Sequence, residues 1–189
     1  ICGNRFGKGL VRPGGVRFTM SDRVRTTMIE RLAELRPETE HVLELLFGSA
    51  TVRDRFEKCG AVSSEDAGHL GLVGPAGRAS GLEYDVRRCF PTEHYAQMGI
   101  PENKKDTGDV YARARVRYDE VLQSLQIVES LAAMPVETDC VNPGPVELPA
   151  SSFVVTLNEA WRGEVSHAVL TDENGGLLRY KIKDPSFHN

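Results

Sequence analysis

Apolar side chains recur every three or four residues through most of the first 134 positions, the spacing of helix faces. After about residue 150 the spacing falls toward two, the period of strands. Thr19 or Ser21 can cap a first helix, with Asp22 in its first turn and Val24, Met28, Leu32 and Leu35 along one side. Pro37 is expected to interrupt it, and His41, Val42, Leu45 and Leu46 form a second helical run stopping at Gly48. "TVRDRFEKCG" predicts a short helix ending at Gly60, and Ser63 or Ser64 starts another, "SEDAGHL". The clearest helix lies near 109–133, in "GDVYARARVRYDEVLQSLQIVESLAAM". Ala114, Tyr118, Val121, Leu125, Val128 and Ala132 form its expected buried seam. Arg113, Arg115, Arg117 and Glu120 then fall on its other faces, with Asp109 and Arg113 at the i,i+4 spacing that supports a helix.

Between these elements the chain turns. "RPGGV" (12–16) is a turn signal. Three glycines and Pro75 in the seven residues 71–77 argue against a regular helix there, so a compact turn is expected to hold Arg78, Asp85 and Arg87. Residues 98–107 read as a polar loop, and the four prolines of 135–150 as a linker. "SSFVVTLN", "EVSHAVLT" and "LLRYKIK" predict a three-stranded antiparallel meander, its last two strands joined through "DENGG". The fold class is therefore mainly α: a helical body (1–134) with a long central helix, a proline-rich linker (135–150) and a small antiparallel sheet (151–189). Strands are expected only after about residue 150.

Composition narrows the function classes. The chain has 189 residues, 40% hydrophobic and 26% charged, which suits a globular protein with one core. A net charge of −4 argues against nucleic-acid binding. No apolar run approaches the roughly 20 residues of a membrane span. The chain opens on Ile1 and stops at "KDPSFHN", and both ends are expected to be cuts in a longer protein. Cys2, Cys59, Cys89 and Cys140 show no CxxC spacing, so free thiols are expected and a structural zinc site is not. "GNRFGKG" has three residues between its glycines where a phosphate loop needs four, and Gly9 replaces the magnesium-binding hydroxyl. "GPAGRASG" lacks the spacing of a dinucleotide turn. The five histidines are scattered and read as structural, and no Ser/His/Asp set can be assigned.

Taken in order, five motifs resemble a known family: "GNRFGKGLVRPGGV", "GLVGPAGRASGLEYDVRR", "GDVYARARVRYDEVLQSLQIVE", "EAWRGEVSH" and "RYKIKDPSFHN". They are similar to the hydrogenase-like large subunit shared by respiratory complex I, where it binds quinone, and the membrane-bound nickel–iron hydrogenases. The resemblance covers essentially all 189 residues. "WRGE" and "DPSFHN" look closer to the formate-hydrogenlyase type, since the complex I subunit more often has Pro where Trp161 stands.

The resemblance implies the following expectations. The nickel–iron centre of the hydrogenase branch is held by two CxxC pairs, soft thiolates suited to such a metal. Neither pair is in this chain, and both are expected outside it, before Ile1 and after Asn189. The quinone-contacting His and Tyr of the complex I branch are expected upstream as well. No catalytic, cofactor or metal residue is therefore assigned here; the parent uses a nickel–iron centre or quinone, with iron–sulfur clusters in a partner subunit. The expected partners are that iron–sulfur small subunit and others of a membrane redox complex, at the cytoplasmic face of the membrane. The cut core also implies self-association. Arg12, Arg78, Asp85, Arg87, Arg115, Glu159 and Arg162 are the candidate polar network of the cavity or subunit interface. The alternative is an assembly module that keeps the fold without metal or quinone chemistry.

Overall fold

The computed structural model describes residues 3, 4, 6–17, 19–134 and 146–187. Most of the linker expected at 135–150, with Cys2, Cys140 and His188, lies outside the described residues.

Two long helices form the body. α1 (Asp22–Gly48) starts at Ser21, whose hydroxyl accepts from the Val24 amide. It continues through Pro37 instead of breaking there. Proline removes one hydrogen bond from a helix interior, and here contacts with the second long helix, α7 (Val110–Ala133), hold both sides of that gap. Arg36 pairs with Glu129 at 2.8 Å beside the proline, and Arg25 donates to the Met134 carbonyl near the start of α1. At the other end Phe47 meets Tyr111 and Tyr118 edge to face, so the helices run antiparallel.

Short helices connect them: α2 (Ala50–Phe56), α3 (Ser64–Leu70), α4 (Gly74–Ala79), α5 (Val86–Cys89) and α6 (Glu93–Met98). α3 is capped by Ser63, and α5 and α6 were not anticipated in the sequence pattern. The α7 seam also differs from the expected one. Ala112, Val116, Leu125 and Ala132 are buried, while Val128 is 36% exposed and Ala114, Tyr118 and Val121 are half-buried. The difference arises because α4 packs on α7 and turns Ala112 and Val116 inward against Ala79. Asp109 does not pair with Arg113 as a surface ion pair; it caps α7, accepting from the Ala112 amide at 2.8 Å and the Lys58 amide at 2.7 Å. Arg113 instead donates to the Gly60 and Gly108 carbonyls.

The sheet is an antiparallel meander of β3 (Phe153–Ala160), β4 (Gly163–Thr171) and β5 (Leu177–Lys183), in that spatial order. Asp172 ties the β4–β5 turn by accepting from the Asn174 and Gly176 amides. "RPGGV" does turn, and its flanks pair as two-residue strands, β1 (Val11–Arg12) with β2 (Gly15–Val16), so strands are not confined to the last forty residues. Helices and sheet meet at two glycines. A Cβ on Gly74 would lie 2.2 Å from the Gly163 Cα, so only glycine there lets the start of α4 touch the start of β4.

Candidate functional site

The glycine-rich segment forms the short helix α4, contrary to the expected irregular turn. Pro75 sits in its first turn, where a missing amide hydrogen costs nothing. Gly77 lies against the Leu72 carbonyl, where a Cβ would be 2.7 Å from that oxygen. The glycines therefore serve close packing, and six residues are enough to aim Arg78 from the last turn into the space between α7 and β3.

Arg78 is 3% exposed and all three of its nitrogens are engaged. Nε donates to Glu120 Oε1 at 2.9 Å, and Nη2 lies 2.6 Å from the same oxygen and 2.9 Å from Glu159 Oε1. Nη1 donates to the Tyr84 carbonyl and lies 3.5 Å from Asp85 Oδ2. Asp85 in turn is gripped by Arg87: Nε reaches Oδ1 at 3.0 Å, Nη2 reaches Oδ2 at 2.6 Å, and the Arg87 amide donates to Oδ1 as the α5 cap. Glu159 Oε2 accepts from the Val86 amide at 3.1 Å. Beside this group the Tyr84 hydroxyl donates to Glu164, which stands directly opposite Glu159 across the β3–β4 pair.

The cluster joins α4, α5, α7 and β3 and holds three carboxylates against two guanidiniums. A guanidinium fork binds carboxylates bidentately, which explains why arginine occupies both positions. For Asp85, burial acts to raise the pKa, but the Arg87 hydrogen bond and the charges of Arg87 and Arg78 outweigh it and hold it below the ordinary range. For Glu159 burial prevails over Arg78 and the pKa rises. Burial, with the bond to Glu164, also raises the Tyr84 phenol.

Glu120, Glu159 and Arg87 form one side of a cavity of about 300 Å³. Its other walls are Tyr95, Ile127, Val128, Leu131 and Trp161. Charged groups and mostly apolar, aromatic ones thus share its lining.

Of the residues singled out in the sequence, Arg78, Asp85, Arg87 and Glu159 come together. The other three do not. Arg12 stands exposed on the N-terminal hairpin, beside an open groove lined by His167 and Tyr180 on the opposite face of the sheet from Glu159. Arg115 lies over the rings of Phe47 and Tyr118 at 4.9 and 4.7 Å, away from the cluster. Arg162 is exposed in the β3–β4 turn, where its carbonyl abuts Gly74. Sequence reasoning missed Tyr84, Glu164 and above all Glu120, which the expected seam put on an outer face. Its signal was spacing: Ala112, Val116 and Glu120 share one side of the helix at four-residue steps.

Among the described residues Cys59 and Cys89 are exposed, and no group of three or more His, Cys, Asp or Glu side chains could hold a metal ion. The described residues thus offer no donor set for a thiolate-held nickel–iron centre. What they do offer is fixed charge, hydrogen-bond direction and carboxylates able to hold a proton.

Over residues 1–146 the chain matches the family described as the respiratory-chain NADH dehydrogenase 49 kDa subunit. It is 30% identical over its whole length to a D-type polypeptide of the NADH-quinone oxidoreductase of Rhizobium etli, covering 54% of that protein. It is also 30% identical over its whole length to the carbon monoxide-induced hydrogenase of Rhodospirillum rubrum, covering 52% of it. Its fold aligns with a chain of the membrane-bound sulfane sulfur reductase, an archaeal respiratory membrane complex, with a TM-score of 0.84 and 27% identity, over 92% of this chain and 49% of the other. The chain spans about half the length of the curated relatives it matches.

Proposed function

Since the chain belongs to the family of the respiratory-chain NADH dehydrogenase 49 kDa subunit, we propose that it forms part of the hydrogenase-like large subunit of a membrane-associated redox complex. Its contribution is the rigid charged framework along one wall of a half-open cavity, and a surface for an iron–sulfur partner subunit. The observation that carries this reading is the Arg78 cluster. A guanidinium only 3% exposed and bonded to two carboxylates from α7 and β3 fixes three separate elements at one point. Such a node orients whatever lies in the adjoining cavity through Arg87 and Glu120.

Two relatives of different name, an NADH-quinone oxidoreductase polypeptide and a hydrogenase, are equally identical to the chain. "WRGE" and "DPSFHN" favour the hydrogenase branch of formate-hydrogenlyase type. No helix among the described residues is long and apolar enough to cross a membrane, so association with the membrane runs through partner subunits in this reading.

The test is to tag the parent protein in its host and isolate it from solubilised membranes. A complex containing an iron–sulfur polypeptide, active in hydrogen evolution or quinone reduction, is expected. Recovery of the tagged protein free of membranes and of any iron–sulfur polypeptide would overturn the reading. Paired CxxC motifs elsewhere in the parent would favour hydrogen chemistry, and a His/Tyr pair in their place would favour quinone.

A further inference from the structure

Each guanidinium of the cluster has a carboxylate that claims it. Arg87 grips Asp85 through two side-chain bonds, at 3.0 and 2.6 Å. Arg78 gives Glu120 both its Nε and its shortest Nη contact, at 2.9 and 2.6 Å. Glu159 receives one bond from Arg78, at 2.9 Å, and one from the neutral Val86 amide. It is the third anion in a group with two cations. Its side chain is only 4% exposed, so water does not screen the excess.

We propose that Glu159 is a proton-holding carboxylic acid which exchanges its proton with the 300 Å³ cavity that it helps to line. The groups facing it come from every element packed around it: Arg78 of α4, Tyr84 and Asp85 of the following link, Arg87 of α5, Glu120 of α7 and Glu164 of β4. Four of these six can carry negative charge only, and the Tyr84 proton is committed to Glu164. Adding one proton to Glu159 balances the Arg78–Arg87–Asp85–Glu120–Glu159 group at zero net charge, and the next charges out, Glu164 and the Arg117 that interacts with Glu120, offset each other. It breaks no contact, because each Glu159 oxygen accepts a single bond and keeps a second lone pair. The direction of its pKa agrees: burial raises it, Arg78 opposes, the Asp85 charge adds, and the net shift is upward. Glu159 is then neutral where an ordinary glutamate is ionised, and loses its proton as pH rises through the elevated value. The step is a simple dissociation, the carboxylic acid giving a carboxylate and a proton that leaves through the cavity. The proposal stands on the cluster alone and holds whichever redox reaction the parent performs.

An infrared titration of the chain tests it. Wild type should keep a protonated-carboxyl band above the pH at which surface glutamates have ionised, and Glu159→Gln should lack that band. The band should shift promptly on transfer of the folded chain into heavy water, since its proton opens onto the cavity. Glu120→Gln, which removes the carboxylate that takes most of Arg78 from Glu159, should move the titration to lower pH. A wild-type chain with no such band, a band retained in Glu159→Gln, one exchanging only on unfolding, or a titration unmoved by Glu120→Gln would each overturn the proposal. Should Glu159→Gln fail to fold, the wild-type and Glu120→Gln titrations decide it.

Discussion

Arg78 shows how much one side chain can carry. Replacing it with Met leaves Glu120 and Glu159 buried without their cation, and breaking a buried pair by removing one partner costs about 3–5 kcal/mol. Arg88 is exposed and 3.9 Å from Glu102, so Arg88→Ala should stay within about 0.5 kcal/mol of wild type. Urea unfolding of both variants checks the contrast; equal midpoints would show that the cluster adds nothing to stability. Asp85 predicts a pH dependence of definite sign. Its pKa is depressed in the folded chain, so the stabilisation it gives is full above the ordinary aspartate value and is lost as pH falls through the lower folded value. Thermal unfolding followed downward from neutral pH should show wild type losing its advantage over Asp85→Asn. An advantage that stays constant into strong acid would contradict the assignment. Glu159 contributes with the opposite sign, its share of stability lost as pH rises, so the two acids dominate at opposite ends of the profile.

At the scale of elements, two local rules yield to packing. Pro37 marks a helix break by propensity, yet α1 runs on because the Arg36–Glu129 ion pair, the Arg25–Met134 bond and the Phe47 ring contacts fasten it to α7 on either side. Pro37→Ala should therefore stabilise the chain, by up to about 3 kcal/mol, by restoring the missing hydrogen bond to the Ala33 carbonyl. A lower melting temperature would mean that the proline sets a bend the α1–α7 contact needs. Glycine behaves likewise. Gly74 and Gly99 have nearly the same left-handed φ, +61° and +60°, but a Cβ at Gly74 meets backbone at 2.2 Å while one at Gly99 meets nothing within 4 Å. Gly99→Ala should lose only the roughly 1–2 kcal/mol of the left-handed conformation. Gly74→Ala should lose well beyond that, because α4 must move off β4 and carry Arg78 with it. The long helix, the meander and the motifs around Arg78 were legible in the sequence because periodicity and turn residues encode them locally. The register of the α7 face was not. It depends on α4 packing from more than thirty residues away, and that contact alone makes Glu120 a buried partner instead of a surface acid.

Over the whole molecule the question is what the exposed apolar surface is for. A compact monomer of 20.8 kDa should expose about 8,900 Å² by the usual scaling of area with mass, whereas the chain exposes 12651 Å². The excess, roughly 3,700 Å² on this one chain, is more than the roughly 1,000–2,500 Å² that each partner contributes to a permanent interface. It is also apolar in the right places. Val42 and Leu45 stand out along α1, and Val154, Tyr180 and Ile182 share one face of the sheet, each half or more exposed. Among the described residues the buried core holds little larger than valine and leucine, so these faces are not spare surface around a sufficient interior. Such faces are suited to contact with other protein surfaces, and in the isolated chain they should find one another. Light scattering coupled to size exclusion should give masses above 20.8 kDa that grow with concentration. Val154→Lys combined with Ile182→Lys places two charges on one sheet face and should move the population toward the monomer without disturbing the Arg78 cluster, which lies on the other face. A mass of 20.8 kDa at every concentration would mean that the exposed faces are too dispersed to pair, and that their cover must be a surface shaped for them.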